Sequence, residues 1–236
     1  MTDLSKAPPT IAGMFDAIAP RYDFLNHLLS AGIDRRWRRR AIASLNLTGR
    51  ETLLDLCTGT ADLALAAVTA RVPARRVIGV DFAREMLRIG REKVRRRGAE
   101  RRIVLACGDA TRIPAADRSV DVVTIAFGIR NVQEPRAACA EIARVLVPGG
   151  RLAVLEFAVP TLPIVRSLYL WYFRRVLPRI GALISRHAGA YGYLPQSVQA
   201  FARPDEFVTM LRHAGFRDVS AVPLTLGIVF LYTARQ

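Results

Sequence analysis

The sequence predicts an α/β fold built on a mostly parallel sheet with helices on both faces. Three observations carry this. From residue 52 onward, short apolar runs alternate with amphipathic stretches. The runs are apolar nearly throughout, as expected of parallel strands buried on both faces. The chain has 236 residues and is 51% apolar, enough for one large domain without requiring a second.

The elements follow in order. Residues 10–46 read as mainly helical, with Met14, Phe15, Ile18, Phe24, Leu25, Leu28 and Leu29 at three- and four-residue spacing. TLLDLC (52–57) is a buried strand, followed by a helix through 62–71. RVIGV (76–80) is the second strand and 83–97 the next helix. RIVLAC (102–107), VDVVTIAF (120–127) and RLAVLEF (151–157) continue the sheet, with a helix at 134–146 stopped by Pro148-Gly149-Gly150. Residues 162–186 form an apolar, aromatic insertion. A helix at 204–214 leads to strands near 216–222 and 226–234, the last antiparallel to its neighbour. Residues 1–236 are thus expected as one domain: a helical cap (10–46), a ligand-binding core (50–160), a helical insertion (162–200) that roofs the site, and a C-terminal helix with strands (204–236).

Composition narrows the setting. No run of 18 apolar residues occurs, against a simple membrane span. MTDLSKAPP lacks the basic end and apolar core of a signal peptide, so the expectation is a cytosolic protein. Cys57, Cys107 and Cys139 are far apart, form no CxxC, and read as reduced core thiols. The histidines form no metal-ligand cluster. The net charge is +15, and of the 35 basic residues all but Lys6 and Lys93 are arginine. Such a chain is drawn to polyanions, either nucleic acid or an anionic membrane surface.

The chemistry lies at the strand ends. Asp55-Leu56-Cys57-Thr58-Gly59-Thr60-Ala61-Asp62 makes a tight strand-to-helix turn, which favours close backbone approach to a ligand. Only Gly59 of a dinucleotide fingerprint is present, against NAD. Asp55 would suit an amino acid's ammonium. Asp81 ends the second strand, where an acid accepts ribose hydroxyls. Asp109, after the third strand, can reach an adenine amino group. Any one such aspartate can be a cap, but three on the carboxyl edge of one sheet indicate a ligand. The ligand that matches is S-adenosylmethionine, in a Rossmann-like class I methyltransferase fold of seven strands.

MFDAIAPRYDFLN (14–26), LLDLCTGTADL (53–63), VTIAFGIRNV (123–132) and VLVPGGRLAVLEF (145–157) resemble the quinone-biosynthesis C-methyltransferases. LPRIGALIS (177–185), AYGYLPQSV (190–198) and LTLGIVFLYTA (224–234) extend the resemblance over nearly the whole chain. It implies that Thr60, Asp81, Asp109 and Ala110 line the cofactor site, to which the turn adds Gly59. It also implies a polyprenyl quinol substrate, with demethylmenaquinol favoured by the GTAD loop and a ubiquinol precursor as the alternative. Positions 57 and 61, glycine in many methyltransferases, are cysteine and alanine here, and Ala126 stands where some members carry serine.

Arg130 is a fixed cation suited to a phenolate, and Asn131 to orienting a hydroxyl or water. Tyr22, Asp23 and Tyr191 lie in family motifs outside the sheet and are expected to cap the substrate. His187 is a candidate base by its ordinary pKa. The stretch after the fourth strand lacks the Asp/Asn-Pro-Pro-aromatic clamp of amino-group methyltransferases, and no cysteine has the proline neighbour of RNA 5-methylcytosine enzymes. Nucleic acid is therefore not expected as partner. The arginine runs within 35–40 and 95–102 keep an RNA methyltransferase open as a rival, beside a binding protein with a retained fold. Residues 162–184 set Tyr169, Trp171, Tyr172 and Phe173 among Arg166, Arg174, Arg175 and Arg179, a pattern suited either to a core helix or to peripheral membrane contact.

Overall fold

Alternation at single-residue resolution builds the centre of the molecule. In strand β1 (Thr52–Leu56), Leu53 packs with Val122, Ala153 and Leu231 on one face, while Leu54 and Leu56 pack with Val123, Ile125 and Val154 on the other. Because side chains alternate across a strand, both faces of the sheet are buried. This is a computed structural model that describes residues 8–176 and 188–236.

The strands are β1, β2 (Arg76–Asp81), β3 (Ile103–Cys107), β4 (Val120–Ala126), β5 (Leu146–Phe157), β6 (Arg217–Leu224) and β7 (Val229–Arg235). They form one seven-stranded sheet in the order β3-β2-β1-β4-β5-β7-β6. The first five are parallel neighbours, and β7 runs antiparallel between β5 and β6. The closing pair is antiparallel as the sequence predicts, but β7 inserts beside β5 rather than extending the edge. Order reverses at β1, so a crevice opens beyond the carboxyl ends of β1 and β4, where open α/β sheets bind ligands.

The helices are α1 (Pro8–Leu29), α2 (Asp34–Ser44), α3 (Asp62–Val68), α4 (Arg84–Arg96), α5 (Pro135–Val145), α6 (Pro163–Trp171), α7 (Ala188–Ala200) and α8 (Pro204–His213), with a π-helical turn at Tyr172–Val176 after α6. The mainly helical stretch expected over 10–46 is built as two helices. Ala31 and Gly32 take left-handed backbone between them, φ 48° and 75°, which ends α1. β5 begins at Leu146, ahead of the predicted Arg151. Pro148-Gly149-Gly150 stops α5 but is absorbed as a bulge, because Gly149 N–H donates to Gln236 O and Gln236 N–H to Gly150 O.

Glu51 anchors the entry to β1. Its carboxylate accepts from the backbone N–H groups of Thr48, Gly49 and Arg50, from the Thr48 hydroxyl, and from Arg151 on β5 at 2.8 Å. Burial alone would raise its pKa, but these donors, Arg151 foremost, hold it down to about 2. A depressed carboxylate stabilises the fold above its ordinary pKa and loses that contribution as pH falls toward the folded value. Between about pH 5 and 2 this loss amounts to about 3 kcal/mol. Urea unfolding over that range should be less pH-dependent in Glu51→Gln than in the parent. Parallel acid limbs would show that Glu51 contributes nothing to it.

Candidate functional site

The first loop keeps its shape without the expected glycines. Cys57, Gly59 and Ala61 all have positive φ, at 52°, 55° and 67°. Two of the three carry a Cβ, which costs roughly 1–2 kcal/mol each in this region. Such strain persists only where the surroundings enforce it. Here Ala61 N–H donates to Thr58 O at 2.9 Å and Gly59 N–H to Asp81 Oδ2 at 2.8 Å. Gly128 lies so close that a Cβ there would stand 2.3 Å from that of Cys57.

Asp81 organises the crevice. Its other oxygen accepts from Ala83 N–H at 2.9 Å, and burial pushes its pKa up from the ordinary value. Cys57, Gly59, Asp81, Phe82, Met86, Ala126, Phe127, Gly128 and Asn131 line a cleft of about 30 Å³, closed from above by Phe15 and Tyr22 of α1. The carboxylate with its ring of backbone donors suits a ribose edge, so these residues fit S-adenosylmethionine. The cleft is far smaller than the roughly 300 Å³ or more of a small-molecule site.

What holds α1 down is explicit. Asp16 accepts from Glu85 N–H at the start of α4, and Asp23 accepts from the Thr60 hydroxyl and from Lys93 Nζ, the latter at 2.7 Å. Lys93 also pairs with Asp62. Asp23, expected near the substrate, is thus a tether between the cap and the first loop.

The sequence-predicted residues divide. Gly59, Asp81 and Asn131 line the cleft, Arg130 lines the larger neighbouring cavity, and Tyr22 lines both. Thr60, Asp109 and Ala110 are not among the lining side chains. Thr60 turns to Asp23, while Asp109 accepts from the N–H and hydroxyl of Thr111, at 2.7 and 2.8 Å. Asp55 faces no ligand space. Thr58 and Thr124 hydroxyls donate to its two oxygens at 2.6 Å each, and burial pushes its pKa up to about 6. The ammonium role is corrected to a brace between β1, β4 and the loop. The cysteines are corrected as well: only Cys139 is buried, Cys107 is exposed, and Cys57 borders the cleft. His187, Arg179 and the Tyr191 and Arg174 side chains lie outside the described residues.

Beside the cleft opens a cavity of about 340 Å³, sharing Phe15, Tyr22 and Phe127 with it. Its walls are mostly aromatic and aliphatic. Phe127 and Phe157 stack with centroids 4.5 Å apart, and Trp37 meets both edge-on at 6.0 and 6.2 Å. Phe127 has φ 61°, an uncommon backbone for a bulky residue and a mark of a constrained site. Trp37 Nε1 donates to Thr225 Oγ1 at 2.9 Å, which fixes the indole. Tyr22 is hydrogen-bonded to Asn26, and burial raises its pKa.

Arg130 is buried at the inner end, within the 3-10 turn Ile129–Asn131. Its Nη1 pairs with Glu156 Oε1 at 2.7 Å and donates to Phe127 O, its backbone N–H donates to Glu156 Oε2, and its guanidinium lies 5.6 Å from the Phe157 ring centroid. The fixed cation expected there is present but already partnered. Trp37, Phe127, Phe157 and Tyr193 were not legible as site residues, because each reaches the cavity through contacts distant in sequence, and Glu156 meets the site only through Arg130.

The comparisons agree with this geometry. Among solved structures, a SAM-dependent methyltransferase from Aquifex aeolicus aligns with TM-score 0.60 at 19% identity, over 84% of this chain and 88% of that one. The [4+2]-cyclase SpnF aligns with TM-score 0.64 at 20% identity, over 98% and 97%. At such identities the likeness shows the fold alone, that of class I methyltransferases. Sequence relatives are nearer. The ubiquinone/menaquinone biosynthesis C-methyltransferase UbiE of a Geobacter species is 45% identical over 236 residues, all of both chains. The demethylmenaquinone methyltransferase of Thermus thermophilus is 48% identical over 219 residues, 93% of this chain and 98% of the relative. The model of the ubiE/COQ5 methyltransferase family matches residues 1–236, and the chain belongs to that family.

Proposed function

We propose that the protein transfers a methyl group from S-adenosylmethionine to a ring carbon of demethylmenaquinol. The observation that carries this is the aromatic cavity of Trp37, Phe127 and Phe157 adjoining the Asp81 cleft, with Phe15, Tyr22 and Phe127 as shared walls. Flat aromatic walls suit a flat aromatic substrate. Cofactor bound in the cleft supplies an electrophilic sulfonium methyl. Deprotonation of a quinol hydroxyl places negative charge on the adjacent ring carbon. Attack by that carbon forms the ring C–CH3 bond as the S–CH3 bond breaks, and loss of the ring proton restores aromaticity. The protein's part is alignment, which supplies roughly 7–11 kcal/mol in favourable cases, and donors at the oxyanion. Arg130 and Asn131 stand at the junction where that oxygen would lie.

The name of the Geobacter relative includes both quinone pathways, which favours a ubiquinol precursor as the second reading. Competition between reduced demethylmenaquinone and the monocyclic precursor, measured as the ratio of kcat/KM, separates them. A ratio favouring the monocyclic quinol overturns our choice.

The substrate class also bears on where the enzyme works. Among the described residues no helix is long and apolar enough to cross a membrane. On α6, however, Ile164, Leu168 and Trp171 are 84, 64 and 56% exposed, spaced along one helical face, with Leu162 exposed just before it. Tyr169, on the opposite side, lines the cavity. Arg166 and Arg175 are exposed on the same segment. Apolar and aromatic groups flanked by arginine suit a headgroup interface, and each such arginine adds about 1 kcal/mol at an anionic surface. Sedimentation with anionic vesicles should therefore be salt-sensitive, and Arg166→Glu with Arg175→Glu should weaken it about tenfold or more. Equal sedimentation of parent and variant would remove this face from the account.

A further inference from the structure

We propose that Tyr193 is a positioning residue for methyl transfer, holding the Asn131 side chain so that its amide N–H donors face the junction of cleft and cavity. The inference rests on the preceding reading, which places the reaction at that junction.

Tyr193 lines the large cavity and Asn131 lines the cleft, and the Tyr193 hydroxyl donates to Asn131 Oδ1 at 3.2 Å. A carboxamide has one oxygen acceptor and one NH2 donor group on opposite sides, and its orientation is decided by its hydrogen-bond partners. With the oxygen engaged by Tyr193, the NH2 is directed away from it. Asn131 is only 5% exposed, so an unpartnered orientation would be costly. Its backbone is also held, by donation to Gly128 O at 3.0 Å.

The same helix reaches the neighbouring residue. Ser197, one turn after Tyr193 on α7, accepts from Arg130 Nε at 3.4 Å and donates to Leu194 O at 3.0 Å. Residues four apart share a helix face. One face of the roof helix thus contacts both members of the Arg130-Asn131 pair, and seating that helix orders them together. Burial raises the Tyr193 pKa, with Arg130 acting against the shift and Glu156 adding to it, so the phenol stays a donor at neutral pH.

The consequence is kinetic. Fixed N–H donors aimed at an oxygen that gains charge act in the transition state more than in the ground state. Tyr193→Phe keeps the ring that forms the wall but releases the amide to flip. Its expected effect is a fall in kcat of about tenfold with KM for the quinol changed less than about twofold. Asn131→Ala should lose more, about 100-fold. Because Tyr193 acts through Asn131, the double variant should be no slower than Asn131→Ala alone.

The test is this cycle, run with the full chain, S-adenosylmethionine and reduced demethylmenaquinone in lipid vesicles, with cofactor affinity measured by calorimetry on each variant. Asn131→Ser gives a second corner to the cycle with a smaller change of volume. Non-additive losses in kcat, with cofactor affinity unchanged in Tyr193→Phe, support the proposal. Parent-like kcat in Tyr193→Phe alongside impaired Asn131 variants overturns it while leaving the reaction assignment intact. Parent-like kcat in both Asn131 variants overturns it together with the proposed role of Asn131. Additive losses overturn it too, since they give Tyr193 a role independent of Asn131.

Discussion

Asp81→Asn lowers the affinity for S-adenosylmethionine by about 100-fold or more, measured by calorimetry at neutral pH. The carboxylate accepts from Gly59 and Ala83 N–H groups, yet its two oxygens offer about four lone-pair sites, leaving room for ribose hydroxyls. Hydrogen bonds to a charged group contribute about 1.5–3 kcal/mol each, so losing two corresponds to about 100-fold or more in affinity. The substitution also turns an NH2 toward one of the two backbone donors, which loosens the first loop. Both effects weaken binding. Affinity within about threefold of the parent would remove the ribose assignment on which the cofactor site rests.

Arg130→Ala has the largest expected effect on stability. The Arg130–Glu156 pair is nearly solvent-free, at 5 and 0% exposed, and removal of the arginine leaves a buried carboxylate without its charge partner. Breaking such a pair costs about 3–5 kcal/mol. For a domain of this size that corresponds to a fall in Tm of about 10 °C. Replacing the pair together, as Arg130→Met with Glu156→Leu, should recover part of the loss, because an apolar pair needs no charge compensation while the Arg130 and Phe157 N–H groups lose their acceptor. Methyl transfer should not recover with it if Arg130 also serves the developing oxyanion. Stability and activity that return together would assign the arginine to the fold alone.

These expectations show what could be read from the chain and what could not. The strands, the turn after β1 and Asp81 were legible because they depend on local pattern and on position at a strand end. The fate of Asp55 was not, since its partner Thr124 lies 69 residues away on the neighbouring strand. Thr60 likewise turns to Asp23, 37 residues earlier, and nothing in the spacing of either reveals the other. Cys57 and Ala61 looked like departures from a glycine-bearing loop, but the enclosing hydrogen bonds keep the left-handed backbone regardless. The segment AYGYLPQSV was singled out, but through Tyr191. The four-residue spacing of Tyr193 and Ser197 was the available signal for one helix face, and only the fold shows what that face meets. The aromatic box was hidden for the same reason: Trp37, Phe127 and Phe157 come from three separate elements.

The most direct test offers the protein methyl-labelled S-adenosylmethionine with two acceptors in parallel, a reduced lipid extract containing demethylmenaquinone and total RNA. Label is expected on the quinone ring carbon, identified as a carbon-bound methyl by mass and magnetic resonance, and is lost in Asp81→Asn. Label in RNA with none in the quinone would contradict the proposed reaction.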